Sequence, residues 1–167
     1  MPFSTVVQVA RPPKLTAVVG TTWVNVATTA AEAESFAWML NTTERSKVEA
    51  VKLASHFLIG VTIVRRSSGY GVTIKRVTLQ QAPRAKRQFC IVAKIDRPGP
   101  GEAVTIEPFV AQHVVTLSSR RFRIDQFHWA IPQAFVLRNT KDMLLAASKD
   151  GSGPDRKNSG NASICHA

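Results

Sequence analysis

Residues 57–79 constrain this chain more than any other stretch: FLIGVTIVRR, a small-residue segment SSGYG, then VTIKRVTL. Ile59, Val61 and Ile63 alternate with Leu58, Gly60, Thr62 and Val64, so one face is wholly apolar and the other nearly so. Val, Ile and Thr are stiff about χ1 and suit a pleated surface better than a helix. Gly69 and Gly71 supply the positive φ that a hairpin loop needs, and the pattern predicts a β-hairpin. In the return run Val72 and Ile74 share one parity, Val77 and Leu79 the other. Lys75-Arg76 therefore reads as a β-bulge that restores the apolar set to the core side. Such a hairpin crowds Arg65, Arg66, Lys75 and Arg76 at one end, an unfavourable arrangement unless an anion or solvent takes up the charge.

A chain of 167 residues can bury a core without staples. Its aromatic share is only 7%, so that core must be built from Val, Ile, Leu and Ala. The expectation is a domain over 1–150 and a polar, disordered tail over 151–167. Cys90 and Cys165 form neither a disulfide framework nor a zinc signature, and a reducing compartment is the simpler assumption. The first residues lack a signal-peptide core, and no apolar run reaches the length of a membrane span. A cytoplasmic or virion location follows as an expectation, with no membrane partner.

Taken in order, residues 6–10 read as an edge strand stopped by Pro12-Pro13, and residues 15–19 and 23–26 continue the β composition. Thr29-Ala30-Ala31-Glu32 is a capping box, followed by Ala33, Phe36, Ala37 and Leu40 at helical spacing, with Asn41 as the stop. Residues 46–56 fit a helical face or short strands, and helix is preferred. Phe89, Ile91, Ala93 and Ile95 alternate as a strand, and Asp96-Arg97-Pro98-Gly99-Pro100-Gly101 is a strong turn signal. Further strands are expected from Val104 and Ile106, over 114–117 and over 122–129. A short helix capped at Asn139 or Thr140 should carry Met143, Leu144 and Ala147. The sum is a mainly β fold: an antiparallel sandwich or barrel of roughly six to eight strands, with one early inserted helix and a short late helix.

The charge is the functional signal. The net charge is +11, and between Glu49 and Asp96 no carboxylate occurs while nine Lys and Arg do. Cations along strands and a loop can follow a phosphate backbone, releasing counterions at each contact. The candidate nucleic-acid-binding set is Arg65, Arg66, Lys75 and Arg76, then Arg84, Lys86 and Arg87 on the loop beyond. Arg120, Arg121 and Arg123 form a second group, and Tyr70 at the glycine-flanked tip is a candidate for base stacking. The expected function is non-catalytic, sequence-independent binding of RNA or single-stranded DNA, RNA foremost. A second copy of the chain is the other partner considered. A compact β domain with strong positive charge and a loose tail resembles, in composition alone, small viral coat or accessory proteins. The N-terminus, however, lacks the arginine-rich arm usual in such coat proteins.

Two other readings stand beside it. A basic face can dock on an acidic protein, or serve only solubility. A cysteine-dependent hydrolase would pair Cys90 with His113 or His128, oriented by Asp96 or Asp125. No Walker loop, Rossmann fingerprint, HExxH or GxSxG is present, and no cofactor or metal site is expected.

Overall fold

The computed structural model describes residues 1–13, 18–81, 87–124, 128–129, 135–141 and 143–147. Its β-branched runs form two four-stranded sheets. Strands β1 (Ser4–Arg11), β6 (Phe109–Ser118), β3 (His56–Arg65) and β2 (Thr22–Ala27) make the first, in that order. The second is β10 (Leu144–Ala147), β9 (Phe135–Asn139), β5 (Arg87–Asp96) and β4 (Gly71–Gln81). A two-residue ladder joins β7 (Arg123–Ile124) to β8 (His128–Trp129). The mainly β, sandwich-like arrangement is as expected, but the second sheet is mixed, because β9 runs parallel to β5.

The hairpin over 57–79 is overturned. Both runs are strands, yet β3 has its edges occupied by β2 and β6, so β4 pairs instead with β5 in the other sheet. Residues 66–70 therefore cross from sheet to sheet. The cause lies in β3 itself, whose two faces are both buried. Phe57, Ile59, Val61 and Ile63 enter the core between the sheets with Ile74, Val77, Ile91 and Leu137. Leu58 and Val64 face the opposite way, into a second core. A strand buried on both faces belongs in the middle of a sheet, not at a hairpin edge. The bulge is where it was expected: the β4–β5 register slips between Ile74 and Arg76, and Val72, Ile74 and Val77 all point inward.

Two helices roof the outer face of the first sheet. Helix α1 (Ala30–Ala37) starts at the predicted box, with Thr29 Oγ1 accepting from Glu32 N–H and Glu32 reaching back to the Thr29 N–H. Those contacts hold the Glu32 carboxyl below its usual pKa, the Thr28 backbone and hydroxyl contributing most. Asn41 does not end a helix but opens α2 (Thr42–Glu49), with a second capping box to Glu44. A second helix thus joins the single inserted one expected; of the helix preferred over 46–56, α2 covers 46–49, 50–55 are turns and bends, and His56 opens β3. Phe36, Met39, Leu40 and Val48 pack on Val7, Val9, Leu58 and Val114. Phe36 lies on Gly60, where an added Cβ would come within 2.3 Å of its ring. Trp23 stacks on Trp38 with centroids 5.9 Å apart.

The short late helix is absent. Asn139 Oδ1 accepts from the Lys141 and Met143 amides at 2.9 Å each, a side-chain-closed turn that leads into β10. Residues 102–108 form no strand; the Thr105 amide donates to Ser68 Oγ, stitching this segment to the sheet-to-sheet crossing. The expected strand over 114–117 is part of β6, and that over 122–129 is only the short β7 and β8. The tail over 151–167 and most of 15–19 lie outside the described residues.

Candidate nucleic-acid interface

The crossing separates the cations that a hairpin would have gathered. Arg65 closes β3 and is half-buried, donating to Val64 O at 2.8 Å, Thr21 O at 3.2 Å and Thr22 Oγ1 at 3.3 Å. It caps the β2–β3 end, and burial lowers its pKa, with Tyr70 opposing the shift and Arg97 adding to it. Arg66 is exposed in the crossing. Tyr70 is half-buried and packs against the inter-sheet core, so it is no free stacking platform. Lys75 is exposed at the bulge, part-way along β4. Arg76, half-buried on the outward face, stands in register with Val92 and, beyond it, Arg138. Arg138 carries no signal in the sequence and is only 5% exposed, a packed cation and not a surface one.

A different grouping emerges at the other end. Phe57 stacks on Phe89 with centroids 5.4 Å apart, joining the start of β3 to the start of β5. Phe57 is paired with Leu117, so the end of β6 lies at the same level. Arg87, exposed, precedes Phe89 by two residues; Arg120, exposed, follows Leu117 by three. Arg120 sits in the 3-10 turn Ser119–Phe122, where its amide donates to Ser118 Oγ. The Ser119 amide donates to Ser55 O at 2.9 Å, which draws in the turn carrying exposed Lys52. Arg121 and Arg123 follow in the turn and in β7, with side chains outside the described residues. Arg84 and Lys86 also lie outside them, in the β4–β5 connection that leaves Gln81 and returns at Arg87.

The opposite end is mixed in charge. At about 3.3 Å per residue, the length of β5 sets Arg97 roughly 30 Å from Arg87. There Arg66 and Arg97 share the loops with Glu102 and Glu107, and Lys94 is paired with Asp96 at 2.5 Å. The remaining described carboxylates, Glu32, Glu34, Glu44 and Glu49, belong to the helices. Glu49, the one nearest the Arg87–Arg120 end in sequence, is bound by Arg45 at 3.0 Å. Among the described residues the carboxylates thus lie on the helices or in the mixed loops, and Arg11 and Arg45 hold Glu44, Glu34 and Glu49.

The Cys90–His113 dyad does not form; the His128 side chain and Asp125 lie outside the described residues. Cys90 is fully buried, faces away from the inter-sheet core and is disulfide-bonded, so it is not a free nucleophile. His113 lies between the sheets, bonded to Thr5 and to the Ile74 amide. Among the described residues no three His, Cys, Asp or Glu are grouped as metal ligands, and no helix is long and apolar enough to cross a membrane. Comparisons with family models, curated proteins and solved structures found no match, which leaves the chemistry of these side chains as the ground for any functional reading.

Proposed function

We propose that the protein binds single-stranded nucleic acid, RNA foremost, without catalysis, through phosphate contacts at the end of the sandwich that carries Arg87 and Arg120. One observation supports this over a surface of evenly scattered charge. The Phe57–Phe89 stack and the Phe57–Leu117 pairing draw two arginine-bearing corners, distant in sequence, to one end. The described carboxylates are on the helices or at the far end. Arg84, Lys86, Arg121 and Arg123 are neighbours in sequence to these corners and extend the proposed set. Arg65 leaves it, because its guanidinium is engaged by Thr21, Thr22 and Val64.

The test is a salt titration of affinity for a generic single-stranded oligonucleotide. Arg87→Gln with Arg120→Gln should weaken binding to all sequences alike and make the slope of log affinity against log salt shallower by about 0.7 per lost contact. Arg66→Gln at the opposite end is the control and should leave the slope unchanged. Equal binding by parent and double variant at every salt concentration refutes the proposal and leaves an acidic protein as the partner to seek.

A further inference from the structure

The two sheets meet along one side at β1 and β4, and no backbone ladder joins them there. Side chains do so instead. Gln8 Nε2 donates to Val72 O at 3.0 Å and Thr73 Oγ1 at 2.9 Å. The Ile74 amide donates to His113 Nδ1 at 2.7 Å. Nδ1 is therefore the unprotonated nitrogen, and Nε2 carries the hydrogen donated to Thr5 Oγ1 at 2.9 Å.

Two bulges make this possible. The slip between Ile74 and Arg76 keeps Val72, Ile74 and Val77 inward along an edge strand whose outer backbone groups need partners. The slip between Thr5 and Val7 in β1 turns Thr5 inward while Val7 and Val9 face the helices. Gln8, His113 and Val61 then form one cross-strand row on the inner face of the first sheet. The histidine is 2% exposed, and its two nitrogens serve both sheets at once.

We infer that this seam is an acid-operated latch: protonation of His113 at Nδ1 turns the acceptor for the Ile74 amide into a second donor, parts β4 from β1 and β6, and frees the outer edge of β4. A cation here meets a donor on one side and Lys75 close by. Lys75 is the charged side chain that bears on the ring; β1 presents Thr5 and Gln8, β3 presents Val61, and none of these titrates. The Met1 amino group lies farther along the same edge, on Val77 O. Burial, with Lys75 second, holds the folded histidine at a pKa of about 4, against an ordinary value of 6.5.

The deciding measurement is amide exchange by NMR on the full chain at pH 7 and pH 5, corrected for intrinsic rates. Linkage between the folded and the ordinary pKa predicts that protection of the Ile74 amide falls about 20-fold over that interval. Ile59 and Val61, in the central ladder, should lose a similar factor through global unfolding yet stay better protected than Ile74 at both pH values. In His113→Gln, whose amide oxygen can accept from Ile74 without titrating, the fall should vanish. Lys75→Gln, an exposed change that leaves the fold intact, should shrink it by letting the folded pKa rise toward 6.5. Unchanged Ile74 protection in the parent overturns the latch. Protection at Ile74 equal to that at Ile59 and Val61 at both pH values also overturns it, since that is global unfolding and not a parting of the seam.

Discussion

Gly60 and Phe36 provide a test of the packing that fixes the helical roof. A Cβ at position 60 would stand 2.3 Å from Phe36 Cε1 and 2.8 Å from Cδ1, well inside van der Waals contact. Both residues are buried, and the ring is enclosed in the core beneath the helices, so neither can turn into solvent. Gly60→Ala should cost about 1–3 kcal/mol by overpacking. Phe36→Ala alone should cost about 3–5 kcal/mol through lost burial and the cavity left behind. Combined, they should not add. With the ring gone the new methyl enters vacant space, and alanine is favoured over glycine within a strand by roughly 0.5–1 kcal/mol. Gly60→Ala should therefore change sign, from destabilising in the parent to slightly stabilising in the Phe36→Ala background, a coupling of about 2–3 kcal/mol. Urea or guanidinium unfolding of the four proteins at pH 7 measures each term. Additivity within about 0.5 kcal/mol would refute the close approach of ring and backbone.

Other expectations are independent of that cycle. The depressed His113 pKa means that the unfolded chain binds more protons than the folded one between pH 6.5 and 4, so this contribution is complete above 6.5 and fades on acidification. About 2 kcal/mol should be lost by pH 5, measured as the difference between parent and His113→Gln in denaturant curves at each pH. Asn41→Ala should cost about 1 kcal/mol by removing an N-cap, with Asn41→Ser recovering most of it in thermal melts. Cys90 should resist alkylation in the unfolded chain until a reductant is added, as intact mass would show; immediate labelling would refute the disulfide. With two cysteines in the chain, a non-reducing gel then separates an intrachain bridge from one between copies.

Strand identity is legible in the sequence wherever side-chain parity carries it. The alternation in 57–64 and 89–95, the slip at Lys75-Arg76 and the Thr29 box can be read directly, because each depends on neighbours in sequence. Pairing is not legible. Gly69 and Gly71 have the composition of a hairpin loop, and only the double-sided burial of β3 reveals that its neighbours must come from elsewhere. The second box, Asn41 to Glu44, is present in the sequence, but an asparagine after a helical run reads as a stop before it reads as a start. Asn139 carries the opposite ambiguity: a cap by residue type, a turn closure in fact. For the candidate interface, Arg87 and Arg120 stand out singly, but their nearness rests on the Phe57–Phe89 stack, which no local pattern announces. Arg65 misleads because charge alone does not show that a guanidinium will be used on backbone carbonyls.

The crossing between β3 and β4 also bears on the order in which the chain folds. In the first sheet Val7 must wait for Val114, and both β1 and β3 lack one ladder until β6 has been made. The β4–β5 pairing is local and can form as soon as its residues leave the ribosome. While residues 66–118 are being made, the early helices and β3 lack the strand that completes their sheet, their apolar faces open to other nascent chains. Non-local pairing of this kind places refolding in the millisecond-to-second range typical of β-rich domains. Release of β6 then becomes the event after which the first sheet can close, and any lesion that delays it lengthens exposure to aggregation.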